Sequence, residues 1–440
     1  MTSPDLPVPF RRDISSQSSL EGEKHMQSRW KRFQAICLAF VLISLGSMGA
    51  FAQETTPNAE LNGELLLWHG WTGAEADTLT NDLLPAWQAA YPNVSIEVLA
   101  VPFDQLKNKY SQEVATGGGP DMLIGPADWV GELATGELIR PLDDLVDEAT
   151  LGNYVPSTVD ALRYDGSLYG LPESFETVAM YYNKALMPEP PATTADLDTI
   201  AAEINGAASD TYGLAFLANF YHPAGYLFGF GGQLFDENNQ SILNSPETVA
   251  FLNWMNGLQS KPGYFLQNDD NAVSSLFKEG KAAAVFNGPW ALGDYVNSLG
   301  AENVGVAPLP VISDADGAPA RPFLGVKHIM MNADLDDDQA ALAAEFMKWF
   351  TGPESAGILV EKAGHLPAHV GVDVSGNEIA QAFVAQAESA TPTPTIPEMG
   401  QVWEPAGNMI TAVLSGASTP EDAAATAQDQ INEGISNMGA

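Results

Sequence analysis

Short apolar runs alternate with longer segments of helical spacing in the first third of the chain. Three such runs predict strands, at residues 64–70 (ELLLWHG), 95–101 (SIEVLAV) and 121–124. The segments between them predict helices at 72–91 and 103–115. Pro85 is expected to kink or split the first helix, and Gly117 with the two glycines that follow is expected to end the second. This alternation predicts an α/β fold with a largely parallel sheet covered by helices.

The same two patterns continue to the end of the chain, with no internal repeat of fixed period. Further strands are predicted at 177–182, 212–217, 282–287 and 322–332. Further helices are predicted at 245–260, 272–280, 336–350 and 377–389. Thr419 and Pro420 have the residue types of an N-cap and a first helical position, so the last helix is predicted to open there. Three tryptophans fall within helical apolar patterns and are expected in cores: Trp87, Trp254 and Trp349.

Two carboxylates stand at the entrance of one predicted strand. In the stretch GLPESFETVAMYYN (170–183), Glu173 and Glu176 precede the apolar run. Burying an unpaired carboxylate costs several kcal/mol, so packing alone does not explain acids at this position. The residues themselves allow two interpretations, a solvated loop before the strand or part of a functional site.

A second group of polar and aromatic residues follows the first and third predicted strands. In open α/β sheets, ligands bind outside the carboxyl ends of the strands. The residues expected to meet at this rim are Trp68, His69, Gly70, Trp71, Pro126, Ala127, Asp128 and Trp129. The rim is therefore the first candidate for a ligand site.

The beginning of the chain has the pattern of an export signal. Basic residues at 29–32 precede an apolar run at 33–48, and Ala50-Phe51-Ala52 is a small-x-small cleavage site. The run is shorter than a membrane-spanning helix requires. Residues 1–52 are therefore interpreted as an upstream extension and signal peptide, and 53–63 as a polar linker. The start at Met1 or Met26, and whether an uncleaved signal acts as an anchor, remain open.

Composition narrows the possible partners and chemistry. Of the 18 basic and 56 acidic residues, 6 and 4 lie before residue 53, which leaves 12 against 52 and a formal charge of −40. Such a surface is unsuited to nucleic acid and anionic membranes. Cys37 is the only cysteine and lies inside the apolar run, which disfavours a lipid anchor. The exported chain would then have no disulfide, thiolate zinc site or cysteine nucleophile.

Six segments together carry a resemblance to one family. They are ATGGGPDML (115–123), ATGELIRPLDDL (134–145), YNKALMPEPP (182–191), FNGPWAL (286–292), RPFLGVK (321–327) and PTIPEM (394–399). In this order and spacing they resemble the family 1 extracellular solute-binding proteins of ABC importers, and most closely the maltose/maltodextrin-binding group. The match covers about residues 62–435.

The resemblance implies a two-lobed periplasmic-binding-protein-like α/β fold. Each lobe would be a mixed, mostly parallel sheet flanked by helices, and a multi-segment hinge would join the two. The implied N-terminal lobe is 64–174 with 328–370, and the implied C-terminal lobe is 175–327 with 371–440. Crossings are expected near 171–175, 324–328 and 366–371. A sugar would bind in the cleft, and the lobes would close on it.

The resemblance also assigns site residues by position. Glu176, before the YN strand, and Asp128, after the GPD strand, would accept hydrogen bonds from sugar hydroxyls. Trp290 in the NGPW turn and Trp403 after the IP-x-M segment would stack on sugar rings, because aromatic faces suit the C–H face of a pyranose. Tyr221 matches a tyrosine that lies before paired glycines. Four more residues complete the expected site: Trp129, Trp71, Asn219 and His69.

Departures from the group's pattern leave the sugar open. Trp129 stands where an arginine is common, and Asn219 stands where an acid is usual. Gly125 stands in place of a tryptophan. Trp71-Thr72 replaces an acid-lysine pair after the first strand.

The implied function is that of an exported receptor rather than an enzyme. It would capture a neutral di- or oligosaccharide at the periplasmic or extracellular face of the cytoplasmic membrane and deliver it to the permease subunits of an ABC importer. A monomer without cofactor or metal is expected. Two alternatives stay open: the same fold binding another sugar or a polyol, and a secreted glycosidase that uses Asp128 and Glu176 as its carboxylate pair. A metal-binding receptor is disfavoured because histidines are few, and phosphorylated ligands are disfavoured by the acidic charge.

Overall fold

The computed structural model describes residues 60–438. The predicted signal peptide, its cleavage site, Cys37 and residues 53–59 of the predicted linker lie outside these described residues. Within residues 60–438, no helix combines the length and the apolar character needed to cross a bilayer.

Fourteen strands occur among the described residues. They are β1 (Gly63–His69), β2 (Val94–Ala100), β3 (Met122–Pro126), β4 (Arg163–Tyr164), β5 (Ser167–Leu168), β6 (Leu171–Thr177), β7 (Ala179–Asn183), β8 (Tyr212–Leu217), β9 (Tyr264–Gln267), β10 (Ala282–Asn287), β11 (Val304–Ala307), β12 (Phe323–Met331), β13 (Leu366–Pro367) and β14 (Thr391–Pro392).

The α-helices of the described residues are numbered in the same way. They are α1 (Gly73–Thr78), α2 (Leu84–Ala90), α3 (Phe103–Val114), α4 (Val130–Thr135), α5 (Glu148–Leu151), α6 (Pro156–Asp160), α7 (Thr194–Ala207), α8 (Ala224–Gly229), α9 (Pro246–Leu258), α10 (Asp270–Lys278), α11 (Leu292–Leu299), α12 (Asp337–Phe350), α13 (Pro353–Lys362), α14 (Glu378–Ala387), α15 (Trp403–Leu414) and α16 (Pro420–Asn437). Short 3₁₀ turns include Ala127–Trp129, Pro289–Ala291 and Pro397–Gln401.

The first lobe is built around a seven-stranded sheet. Its strand order is β13-β6-β12-β3-β1-β2, and β14 pairs with β12. β1 runs parallel to β2 and β3, whereas β12 runs antiparallel to β3 and β6. Helices α1–α3, α12 and α13 pack against it, and Trp87 is buried in its core. Trp349 packs against the same core, so both tryptophans lie where the sequence predicts them.

The second lobe is built around a five-stranded sheet of order β11-β7-β10-β8-β9. Both faces of this sheet are buried, because side chains alternate along a strand and each face carries a separate core. Met180 and Phe216 face one core. Tyr181 and Leu217 face the other. Trp254 packs against the first of these two cores, as its helical pattern predicts.

The single strand predicted at 177–182 is wrong. The chain forms β6 to Thr177 in the first sheet and then β7 from Ala179 in the second, so that one residue, Val178, separates two strands of different lobes. Apolar periodicity does not show this break because both strands are buried. The sequence prediction treated one apolar run as one strand, and the run in fact crosses from lobe to lobe.

Local signals explain most of the remaining elements. The helix predicted at 72–91 is split as expected: a π-helical turn, Leu79–Leu83, separates α1 from α2, and Pro85 lies in the first turn of α2. Gly117 adopts φ +78°, and its N–H bonds to the carbonyl of Val114, which ends α3. Thr419 caps α16 through Asp422 N. A short helix, α8, lies after β8 in a glycine-containing segment for which no helix was predicted.

The segments predicted to cross between the lobes lie side by side. β13, β6 and β12 are neighbours in the first sheet, with Leu366 opposite Phe175 and Leu324 opposite Thr177. The lobe boundaries implied at 174 and 327 fall inside β6 and β12. The strands that carry the predicted site residues therefore converge at the junction of the two sheets.

Candidate functional site

Aromatic side chains of the second lobe gather at this junction. Tyr221 follows β8, Trp290 follows β10, and Trp403 begins α15. The ring centroid of Tyr221 lies 6.1 Å from that of Trp290 and 6.1 Å from that of Trp403. Phe323 stacks on Tyr221 at 5.8 Å and supports the group from β12. The structure thus brings together the three aromatic residues that the resemblance assigns to the site.

Asp128 faces this aromatic group from the first lobe. It lies in the 3₁₀ turn directly after β3, and Trp403 Nε1 donates a hydrogen bond to its Oδ2 at 3.0 Å. Burial raises the pKa of Asp128 to about 6, although Lys107, the Trp403 hydrogen bond and Lys327 act in the opposite direction. The bond between Asp128 and Trp403 joins the two lobes directly.

Glu176 lies at the end of β6. It is buried, and its Oε2 lies 3.8 Å from Nζ of Lys327 on β12. Gly325 is opposite Glu176 in the register, and a Cβ there would lie 3.3 Å from Glu176 Cγ, so glycine leaves room for the carboxylate. Burial raises the pKa of Glu176 despite the nearby Lys327. Glu176 is thus a desolvated carboxylate on a strand at the junction of the two sheets, and its role in binding sugar stays a prediction.

The Tyr221 hydroxyl lies near both carboxylates without a hydrogen-bond partner among the described residues. Burial raises the pKa of Tyr221 well above its ordinary value, and the charges of Glu176 and Asp128 raise it further. The Tyr221 hydroxyl is therefore a neutral donor that has no protein acceptor among the described residues.

The other predicted site residues have partners of their own. Trp71 is buried in the first-lobe core, where it stacks on Phe350 at 6.0 Å. The Trp71 backbone N–H donates to His69 Nδ1 at 3.1 Å, and burial lowers the pKa of His69 to about 4. Trp129 packs on Phe103 at 5.4 Å, and Asn219 Oδ1 accepts the His222 N–H at 3.0 Å. Within the described residues, only Asn219 is linked to the aromatic group, because the ring of its partner His222 lies 5.6 Å from that of Tyr221 and 6.3 Å from that of Trp290. The role of all four residues in binding stays a prediction.

A buried histidine beneath the cleft is paired with two carboxylates. His365 Nδ1 lies 2.7 Å from Glu173 Oε1, and its Nε2 lies 2.9 Å from Glu75 Oε1. Burial by itself lowers the pKa of His365, but the two carboxylates outweigh burial and raise the pKa to about 10. The contact with His365 explains why the Glu173 carboxylate can lie at the beginning of a buried strand. Sequence spacing gave no sign of it, because the three residues are far apart along the chain.

Lys327 and Phe103 also lie at the site and were not predicted there. Lys327 Nζ lies 5.0 Å from the ring centroid of Phe103 and 5.9 Å from that of Trp290. The lysine inside the apolar run PFLGVKHIMM is the sequence signal of a buried charge, which its place in the family motif RPFLGVK obscures. Phe103 begins α3, and nothing in its spacing distinguishes it from a core residue.

The lobes also touch at α1 and α11. The Ala74 N–H donates to Asp294 Oδ1 at 3.1 Å. A cavity of about 390 Å³ lies beside this contact, between α1, α11 and residues 361–364, and another of about 360 Å³ lies near Arg140 in the first lobe. No predicted site residue lines either cavity. Asp128 and Trp403 instead contact each other directly across the junction.

Comparison with known proteins agrees with this architecture. The model of a family described as bacterial extracellular solute-binding protein matches residues 83–381. The maltotriose-binding protein of Pyrococcus abyssi is 31% identical over 361 residues, which cover 80% of this chain and 78% of that protein. The galactooligosaccharide-binding protein of Bacillus subtilis is 26% identical over 90% of this chain and 96% of its own length.

Among solved structures, the chain is similar to the GacH receptor of Streptomyces glaucescens, which has been determined unliganded and in complex with acarbose. The TM-score is 0.78 at 28% identity, and the match covers 85% of this chain and 98% of the receptor. The two-lobed α/β fold expected from the sequence is therefore confirmed.

Proposed function

The chain belongs to the family of bacterial extracellular solute-binding proteins, and from that premise we propose that it captures a neutral di- or oligosaccharide of the maltodextrin type between its lobes. The family consists of binding proteins, so the chain is a receptor and not an enzyme. The observation that carries the proposal is the meeting of Trp290, Trp403 and Tyr221 with the buried carboxylates of Asp128 and Glu176. Aromatic faces bind the apolar face of a pyranose, and carboxylates accept bonds from its hydroxyls.

The same proposal places the protein outside the cytoplasmic membrane, where it delivers sugar to the permease of an ABC importer. The lobes would comprise 64–174 with 328–370 and 175–327 with 371–440, and the adjacent strands β6, β12 and β13 would form the hinge between them. A monomer is sufficient for this mechanism, because each chain carries both walls of the cleft.

Binding of another sugar or of a polyol is the alternative within the same fold. The relatives support it, since one is named for maltotriose and another for galactooligosaccharides. Asn219 at an expected acid position and Trp71-Thr72 at an expected acid-lysine pair are differences that would change which hydroxyls are bound.

Titration of the purified exported chain tests the proposal. Tryptophan fluorescence and melting temperature would be followed with maltose, maltotriose, trehalose, sucrose, xylooligosaccharides and galactooligosaccharides, and the recovered sugar would be analysed by chromatography. We expect saturable binding of at least one sugar, which is recovered unaltered. If none of the six changes either signal, the proposal of a maltodextrin-type ligand is wrong.

A further inference from the structure

The ammonium of Lys327 occupies the centre of the junction between the lobes. In the register of β12, Lys327 lies opposite Ser174 of β6 and Pro126 of β3. Directly opposed residues of antiparallel strands share one face of the sheet, and so do residues two apart on one strand. Lys327, Gly325 and Glu176 therefore lie on one face, which is the face that meets the second lobe.

The Lys327 ammonium has no hydrogen bond to the residues that the structure describes. Its side chain is 15% exposed, and the Glu176 oxygen at 3.8 Å is beyond the range of an N–H···O bond. An ammonium has three donors, so those of Lys327 are available to a ligand. The other neighbours of Nζ are two aromatic rings, Phe103 of the first lobe and Trp290 of the second.

The charges around Lys327 define the ligand that it suits. Burial lowers the pKa of Lys327, but the carboxylates of Glu176, Glu75, Glu173 and Asp128 outweigh burial and raise it above its ordinary value. The ammonium thus stays charged inside a group of carboxylates. Glu75 and Glu173 share His365, so an anionic ligand would be repelled mainly by Glu176 and Asp128, whereas a neutral hydroxyl could accept from Nζ without such a cost.

We propose that Lys327 determines specificity in the cleft, and that its ammonium and the Glu176 carboxylate together bind two adjacent hydroxyls of one sugar ring. Each hydroxyl both donates and accepts, so one can accept from Nζ while its neighbour donates to the carboxylate. Because Lys327 Nζ and Glu176 Oε2 are 3.8 Å apart and form no hydrogen bond with each other, each can still form one with a hydroxyl. This inference rests on the proposed function and names the residues that would recognise the sugar.

The position of Lys327 also bears on the absence of the expected acid-lysine pair after the first strand. The resemblance implies an acid-lysine pair after the first strand, and Trp71-Thr72 stands there instead. Trp71 is part of the first-lobe core and offers no cation. Lys327 provides a cation from another strand of the same sheet, 3.8 Å from the Glu176 carboxylate. The cleft would then keep a cation–carboxylate pair while changing where the cation approaches the sugar.

The test compares Lys327→Met with the wild type and with Lys109→Met as the matched control. Lys109 also lies over an aromatic ring, that of Trp68 at 4.3 Å, and also pairs with a carboxylate, that of Glu113, but it lies on α3 outside the site. The probes are maltotriose, the galactooligosaccharides, and a series of monodeoxy maltotrioses. We expect Lys327→Met to weaken binding of the sugar that the wild type prefers by about 10- to 100-fold, the scale of a hydrogen bond to a charged group. Lys109→Met should change binding less than about twofold.

The deoxy series distinguishes a direct contact from a structural effect. If Lys327 binds one hydroxyl, the wild type should already bind the analogue that lacks this hydroxyl weakly, and Lys327→Met should lose little more. Lys327→Arg should restore part of the affinity. An equal loss for every analogue would show that Lys327 acts through the fold, and unchanged affinity in Lys327→Met would show that it does not contact sugar. Either result overturns the inference and leaves the proposed function standing.

Two further results have defined meanings. If the wild type binds none of the probes, both the proposed function and this inference fail. Lys327→Met leaves the Glu176 carboxylate without its neighbouring cation and could fail to fold for that reason. In that case, Glu176→Gln is compared with the double variant Glu176→Gln/Lys327→Met, since neither contains the Glu176 charge. A further loss of affinity in the double variant then supports the Lys327 contact, and equal affinity of the two variants overturns it.

Discussion

Asp128 shows how a single residue can reduce stability for the benefit of a site. Its carboxylate is removed from water after β3, and its one strong partner is the indole N–H of Trp403 in the other lobe. Burial raises its pKa to about 6, so folding favours the protonated form. The unfolded chain binds fewer protons than the native chain between the ordinary pKa and the raised one. Stability from this group therefore falls as pH rises from about 4 to about 6 and is constant above that.

Asp128→Asn is expected to remove this pH dependence. At pH 7 the variant should be more stable than the wild type by up to about 3 kcal/mol, the equivalent of a shift of about two pKa units. Near pH 4 the two should be similar, because Asp128 is then largely protonated and Asn still accepts from Trp403. Urea unfolding at pH 4, 5, 6, 7 and 8 measures the difference. If the difference in unfolding free energy between the variant and the wild type does not grow with pH, the Asp128 carboxylate is well solvated in the native protein and the prediction is wrong.

Trp290 and Trp403 are expected to act mainly on affinity. Replacing either by alanine should weaken sugar binding by about 1–3 kcal/mol, the range for an aromatic anchor of an interface. Fluorescence or calorimetric titration gives the affinity, and thermal unfolding without sugar gives the stability.

Trp254→Ala is the control for both variants, because Trp254 packs in the same lobe on Tyr226, at 4.6 Å, and not at the cleft. It should lower the melting temperature and leave affinity unchanged. The assignment of Trp290 and Trp403 to the site is wrong if their variants behave as Trp254→Ala does.

At the scale of elements, helices α1 and α11 form a second bridge between the lobes. The Asp294 carboxylate accepts from the Ala74 N–H at the beginning of α1, where backbone donors have no partner within the helix. Gly73 adopts φ +53°, and a Cβ there would lie 2.5 Å from the Asp294 carboxylate oxygens, so the approach depends on glycine. The bond can exist only while the two lobes are close.

Asp294→Ala is therefore expected to shift the unliganded protein toward separated lobes. Solution scattering should show a larger radius of gyration, and sugar affinity should fall by about 0.5–1.5 kcal/mol, the net value of one hydrogen bond. The control is Asp82→Ala, which removes the bond of Asp82 to Lys362 at 2.6 Å within the first lobe. Unchanged affinity and radius in Asp294→Ala would mean that this contact does not influence closure.

The elements were predictable where one physical signal dominates. β8 and β10 have the predicted bounds because each is a short apolar run between turn residues, and Thr419, Ser245 and Asn377 cap their helices as their residue types favour. The break at Val178 could not be predicted, since neither periodicity nor turn chemistry marks a strand that leaves one buried sheet for another.

The candidate site was likewise only partly predictable from the sequence. The resemblance assigned Trp290, Trp403 and Tyr221 by position, and the structure brings the three together. The pairing of His365 with Glu75 and Glu173 depends on contacts across 290 and 192 positions of the chain, which one sequence does not contain. The same holds for Lys327, whose position near Phe103 and Trp290 is set by the packing of two lobes.

For the molecule as a whole, charge and ligand recognition are expected to respond differently to salt. The chain has a formal net charge of −38, so its acidic residues repel one another in the compact state. Salt screens this repulsion over a Debye length of about 10 Å at 0.1 M. The free energy of unfolding and the melting temperature should therefore rise as NaCl increases from about 0.02 to about 0.5 M. Glycine betaine at equal osmolality separates screening from general solute exclusion.

Affinity for a neutral sugar should not follow stability. No net charge approaches the protein when such a ligand binds, so the affinity measured over the same salt range should change less than about twofold. A cationic ligand would bind more weakly as salt rises, because screening reduces its attraction to the carboxylates around Lys327, and an anionic one would bind more tightly as repulsion is reduced. Calorimetric titration across the same salt series therefore shows whether the ligand is charged, even when its identity is unknown. It would be run in parallel with the unfolding experiments. A steep salt dependence of affinity in either direction would contradict the proposal that this cleft is built for an uncharged sugar.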